Sequence, residues 1–531
     1  MPHLVPDPPL PPGPLATPRG QGTTASERYL AELAERTFLS MWSYPNLWRD
    51  QRAHGGKSGD GKELCDLLVV FDKHVLIFSD KHIQFKPHVD MAVAWRRWYK
   101  AAVMEAANQV FGAERWIRAF PSRIFLDPAC THRCPVPLPA PEELSIHRII
   151  VARGVAAACR DYFGGGSGSL LVTPYVVGAD HLLTDGVRQH DGAAPPGGPF
   201  MVGQVDPARG FVHVLDDTSL DLLMGTLNTV RDFVDYLEAK ERFICSERLI
   251  SATGEEDLLA FYLKRAGPSG RHDFVLPPDV DAIMITEGEW ASFRVNPQRL
   301  AQIKADECSY AWDELIQRFA FHALNDTQYY ATERGATHSE PALRLLAREP
   351  RTRRRVLSQA ILGLVERTRQ RQQRIEARMV EPSAVGDPHY VFVVLRRRSA
   401  SGYAEYRDER RDVLHAYMEV YKSMRPSALD IVGIAFGTEE SEEGGSEDLL
   451  WLDGRQWTDD DQRHAVALQR DTGFLSKTAF IAAVYDEYPD PKEPTTTVPF
   501  RAKGRDRNQL CSCGSGLKIK RCHGRPRHQD A

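Results

Sequence analysis

The chain of 531 residues is 42% hydrophobic and 26% charged, ordinary globular usage with room, at roughly 100–200 residues per domain, for three or four units. Its net charge of -5 excludes a polyanion binder acting through overall charge, so basic surface has to be local. No apolar run reaches the ~18 residues of a membrane span, residues 1–20 lack the basic start and apolar stretch of a secretory signal, and the nine cysteines do not form a disulfide framework, which together predict a cytoplasmic protein with no membrane partner.

In chain order, residues 1–25 are rich in Pro and Gly and are expected to remain disordered. Ser26 then caps an expected helix whose apolar positions Leu30, Leu33, Phe38 and Met41 recur at helical spacing. Residues 55–61 read as a loop, and two strands follow over 64–71 and 75–81, joined closely enough for a hairpin. A helix from about residue 89 carries Trp95, Trp98, Ala102 and Val110, and a Pro-rich loop covers 135–141. Further strands are expected over 147–152 and 170–177, around the turn GGGSGS at 164–169, which lacks the Lys-Ser/Thr of a phosphate-binding loop. A strand over 211–215 leads through Asp216 and Asp217, read as helix N-caps, into a helix over 219–240. These elements predict an α/β domain over 26–245.

Residues 246–380 have mainly helical periodicity and end in a strongly basic run at 351–378, either a solvated helix face or a phosphate-binding one. Over 381–490 a strand (390–395), a helix (406–421) and a second strand (431–436) predict a small α/β unit with parallel pairing. A linker at 488–500 leads to the tail.

The tail contains Cys511, Cys513, Cys522 and His523, with Gly514 and Gly516 beside the first pair. Cys-x-Cys, eight residues, then Cys-His supplies three thiolates and an imidazole, the soft and borderline ligands of tetrahedral zinc. So small a module has almost no apolar core, and metal binding of order 10 kcal/mol would drive its folding. The sequence GRDRNQLCSCGSGLKIKRCHG resembles the SEC-C motif, best known from the C-terminus of the SecA translocase ATPase. That resemblance implies a zinc-binding module over 501–524 that contacts partners and does no chemistry. Leu510 and Ser512 replace the usual prolines without removing a ligand. Nine Lys and Arg against two Asp over 501–531 keep the tail cationic, suited to nucleic acid, the ribosome or an acidic protein surface.

The two strands after residue 61 carry a second pattern. Asp66 lies within the first; Ser79 and Lys81 share one face of the second, and Asp80 points to the other. An acid on one strand and acid-x-Lys on the next resembles the PD-(D/E)xK, restriction-endonuclease-like nucleases. There a carboxylate pair holds Mg²⁺ and the Lys orients or activates the attacking water. The resemblance covers residues 26–125 and implies catalytic roles for Asp66 and Lys81, with Glu35 as an extra carboxylate and Gln109 as an accessory residue. It departs at Ser79, a neutral hydroxyl where the pattern has an acid, so that either Asp80 substitutes through a local bulge or the site is degenerate. The alternative is a structural ion pair between Asp66 and Lys81. Cys130, His132 and Cys134 form only a loose potential metal cluster.

The sequence therefore predicts an α/β multidomain protein: a restriction-endonuclease-like N-terminal domain, a helical middle, a small α/β unit and a C-terminal zinc-binding module. Its expected cofactors are Zn²⁺ and, at the nuclease-like site, Mg²⁺. The functional expectation is a zinc-tailed nuclease acting on DNA or RNA. The alternatives are a non-catalytic zinc-tailed adaptor and an enzyme of another class with its site within 125–500.

Overall fold

In the computed structural model the first helix, α1 (Ala25–Phe38), is capped by Thr24 rather than by Ser26. The Thr24 hydroxyl accepts from the Glu27 amide at 3.2 Å and so satisfies one of the orphan donors of the first turn. The structure describes residues 19–50, 61–87, 89–166, 168–184, 197–267, 270–398, 401–438, 447–476 and 486–491. The chain is a mixed α/β protein, and its described residues divide into two compact units, one of those within 19–296 and 315–351, the other of those within 297–314 and 352–491.

The first of these units is built on an antiparallel meander, β1 (Ser43–Asp50), β2 (Gly61–Phe71) and β3 (His74–His82). The sequence gives little sign of β1, because Pro45 and Asn46 interrupt its apolar alternation. Asn46 adopts a left-handed φ of 48°, and the ladder with β2 slips between Leu47 and Trp48. The hairpin between β2 and β3 turns at Asp72, with φ 55°.

The chain continues through α2 (Met91–Tyr99), capped by Asp90, into a five-residue π-helical stretch (Lys100–Met104) and α3 (Glu105–Ala119). Then β4 (Ile124–Phe125) joins the β1 edge, and β5 (Ser145–Arg153) lies parallel to β3. After α4 (Ala156–Tyr162), β6 (Leu171–Val177) and β7 (Met201–Gln204), β8 (His213–Leu215) pairs parallel with β5. The main sheet thus has the order β4-β1-β2-β3-β5-β8.

Where one helix was expected over 219–240 there are two, α5 (Asp217–Thr226) and α6 (Val230–Cys245). The break is set by Thr229, whose hydroxyl caps α6 at the Asp232 amide, 3.1 Å away. A second sheet, ordered β10-β9-β6-β7, adds β9 (Leu249–Ala252) and β10 (Ile283–Ile285), with α7 (Glu255–Leu263) between them and α8 (Glu289–Phe293) after.

Side-chain alternation on β3 sets the two faces of the main sheet. Phe78 meets Phe38 of α1, ring centroids 6.2 Å apart, while Ser79 on the opposite face bonds Gln109 of α3 at 2.8 Å. Helices therefore cover both faces, and β2, β3 and β5 read as nearly continuous apolar runs because neither side meets water.

The chain then passes through α9 (Pro297–Asp306), α10 (Tyr310–Leu324), α11 (Ala336–Ala347) and α12 (Arg351–Arg371). Within the first unit, Glu340 of α11 accepts from the buried Trp42 indole at 2.9 Å, and Arg344 and Arg348 each reach Asp72 at 3.1 Å.

The other unit is organised on a four-stranded sheet of β11 (Ile375–Val380), β12 (His389–Leu395), β13 (Asp430–Phe436) and β14 (Asp448–Asp453) in that order. Strands β12 and β13 are parallel, joined by α13 (Tyr403–Met424), and α14 (Asp459–Thr472) follows β14. The strand–helix–strand core matches the sequence expectation, and β11 and β14 extend it at both edges.

Candidate active site

Asp66 sits on β2 where that strand runs beside β3, and its Oδ2 accepts the Asp80 amide at 2.6 Å. Burial, as the largest cause, pushes its carboxyl up to about 6, and Glu63 and Glu27 add like-charge repulsion. The Asp80 amide and the Lys81 cation pull the other way. Asp66 and Lys81 thus lie on paired neighbouring strands.

Asp80 does not join them. Strand β3 keeps an unbroken register with β5 from His74 to His82, so no bulge turns Asp80 toward the Lys81 face. Its carboxylate instead pairs with Arg153 Nε of β5 at 2.7 Å, with 0% of the Asp80 side chain exposed. Ser79 is also engaged, donating to Gln109 Oε1. Gln109 of α3 therefore meets β3.

Glu35 is exposed on α1, and the acids acting on Asp66 are Glu63 and, about two turns before Glu35, Glu27. Asn46 links these two, its Nδ2 donating to Glu27 Oε2 at 3.1 Å and to Glu63 Oε1 at 2.9 Å. Burial pushes the Glu27 carboxyl up, but donation from Asn46 and from the residues around its cap outweighs it and holds the group below the ordinary carboxylate range. The spacing Glu63-x-x-Asp66 was visible in the sequence; a role for Glu27 depends on how α1 meets β1.

The other candidates resolve structurally. Asp216 caps α5 through a capping box and also accepts the Leu170 amide at 2.8 Å. His132 leans on Asp127 at 3.1 Å, and burial pushes the Cys134 thiol up to about 12, where it holds its proton and is a poor metal ligand. In the basic run, Arg354 pairs with Asp313 at 2.6 Å and Arg355 with Asp306 at 3.2 Å, both arginines buried. These two serve packing, not a phosphate-facing surface.

One further group was not foreseen: His74, His147 and Glu238 place their donor atoms within 4.8 Å of one another. They are too far apart in the chain to form a local motif.

The expected zinc ligands Cys511, Cys513, Cys522 and His523 lie outside the described residues. Residues 507–525, which contain all four, match the family described as SEC-C motif. No curated protein and no solved structure matches the chain. Among the described residues no helix is long and apolar enough to cross a membrane.

Proposed function

We propose that this chain is a zinc-tailed, divalent-metal-dependent nuclease of the restriction-endonuclease-like class, acting on nucleic acid. What carries the reading is the pairing of β2 with β3, which sets the Asp66 carboxylate against the Asp80 amide at 2.6 Å on the strand that also carries Lys81, with Glu63 three residues before Asp66 on β2. Carboxylate oxygens are the donors that a hard divalent cation takes up. The order helix, three antiparallel strands, helix, parallel strand supports the same reading.

Asp66, helped by Glu63 and Glu27 in place of the missing acid at Ser79, would hold Mg²⁺, which supplies charge neutralisation at the scissile phosphate. Lys81 would orient the attacking water, and Gln109 would hold Ser79 in place. In the tail, Cys511, Cys513, Cys522 and His523 would bind Zn²⁺, as the SEC-C match supports, and the cationic residues around them would contact phosphates or an acidic partner.

The test is cleavage of DNA and RNA by the full chain with Mg²⁺ or Mn²⁺. Lys81→Ala and Asp66→Asn should each abolish cutting in folded protein, and Ser79→Glu should raise divalent-metal affinity. A second reading, a non-catalytic zinc-tailed adaptor, is favoured by one observation: Asp80 is committed to Arg153 and Ser79 to Gln109. Wild-type chain that cuts neither nucleic acid, yet binds one with roughly 0.9 log loss per log salt for each phosphate contact, would establish the adaptor instead.

A further inference from the structure

We infer that His74, His147 and Glu238 form a binding site for a divalent transition metal, zinc by its ligand chemistry, separate from both the tail and Asp66. His74 opens β3, and His147 lies on β5 opposite Leu76, on the same sheet face. Helix α6 covers this face and brings Glu238 over the two imidazoles. His74 Nδ1 and His147 Nε2 are 3.1 Å apart, and His74 Nδ1 is 3.7 Å from Glu238 Oε1. Neighbouring donors around a tetrahedral zinc with bonds of 2.0–2.1 Å are about 3.3 Å apart, so an ion fits among these atoms with small side-chain adjustments.

The protonation states suit metal binding. Burial holds both imidazoles below their ordinary range, His147 down to about 3, so both keep a lone pair at neutral pH. Two imidazoles and a carboxylate with one position left for water is the donor set of open zinc sites. The access side is there too: 15% of the His74 side chain and 35% of Glu238 remain exposed.

The site is distinct from Asp66 and Lys81, because His74 lies five residues along β3 from Ser79, about 17 Å at 3.3 Å per residue.

The test uses full-length chain carrying Cys522→Ser to silence the tail, stripped with chelator and titrated with Co²⁺. The expected result is uptake of a cobalt ion with weak ligand-field absorption and no thiolate charge-transfer band. His74→Gln and Glu238→Gln should each weaken that uptake by about tenfold or more while the circular dichroism spectrum stays native. Asp66→Asn should leave it unchanged, so this inference and the nuclease reading fail separately. Absence of cobalt uptake, or uptake indifferent to both His74→Gln and Glu238→Gln, would reduce the cluster to a hydrogen-bonded histidine pair and overturn the inference.

Discussion

Replacing Asp66 by Asn should make the protein more stable at neutral pH, which is the opposite of what removal of a structural carboxylate does. The Asn side-chain oxygen can still accept the Asp80 amide that Asp66 Oδ2 holds at 2.6 Å, while the partly buried negative charge disappears. The folded-state value of about 6 against the ordinary 3.8 corresponds to about 3 kcal/mol at 1.36 kcal/mol per unit. Solvent reaching the side chain lowers the expected gain to about 1–2 kcal/mol. Between pH ~4 and ~6 the folded chain keeps a proton on Asp66 that the unfolded chain has released, so this residue lowers wild-type stability as pH rises through that window. The variant's advantage should be full at pH 8 and vanish near pH 4. Urea unfolding followed by tryptophan fluorescence at both pH values measures it. Added Mn²⁺ should stabilise wild type and leave Asp66→Asn unmoved. A variant that loses 1 kcal/mol or more at pH 8, or a difference that does not change with pH, would show that Asp66 is a structural acid and refute the reasoning.

Three further outcomes are expected. Asp448→Ala should cost about 3–5 kcal/mol in chemical unfolding, because it strands Arg407 and Arg410, whose guanidinium nitrogens it holds at 2.5 and 2.6 Å in the interior. Lys240→Met should cost about 3 kcal/mol by leaving Glu255 buried and uncompensated, since the pair meets at 2.6 Å with 3% of each side chain exposed; Lys240→Met with Glu255→Leu should recover much of that loss in the same assay. Cys513→Ser or Cys522→Ser should remove the tail-dependent zinc measured by elemental analysis, and leave the thermal unfolding of the rest of the chain unchanged.

The elements read correctly from sequence are those with strong local signals. Strands β2 and β3 show apolar runs bounded by a tight turn, and the Asp216 cap announces α5 through an acidic residue just before an apolar-periodic stretch. Strand β1 escaped because Pro45 and Asn46 break its pattern and its pairing to β2 is a tertiary choice. The split between α5 and α6 rests on Thr229, a cap inside what reads as continuous helix. Of the candidate site, the pairing of the strands that carry Asp66 and Lys81 was legible from their apolar runs and the tight turn between them. The engagement of Asp80 by Arg153 was not, since it depends on β5 lying beside β3. Neither was the contact of Glu27 with Asn46, which depends on how α1 meets β1. His74, His147 and Glu238 become neighbours only through sheet order and the placement of α6, and nothing in their spacing hints at it.

The π-helical stretch at 100–104 is, in sequence terms, a one-residue insertion into an otherwise ordinary helix. Each residue turns an α-helix by about 100°, so the insertion acts as a phase shifter between α2 and α3. It sets the phase of α3 relative to α2, and so which residue of α3 stands against Ser79. Deleting one residue from the stretch would leave every side chain of α3 chemically intact and carry Gln109 about a quarter-turn or more away from Ser79. Here the count of residues between two contacts, and not their identity, decides whether the strand pair keeps its accessory group.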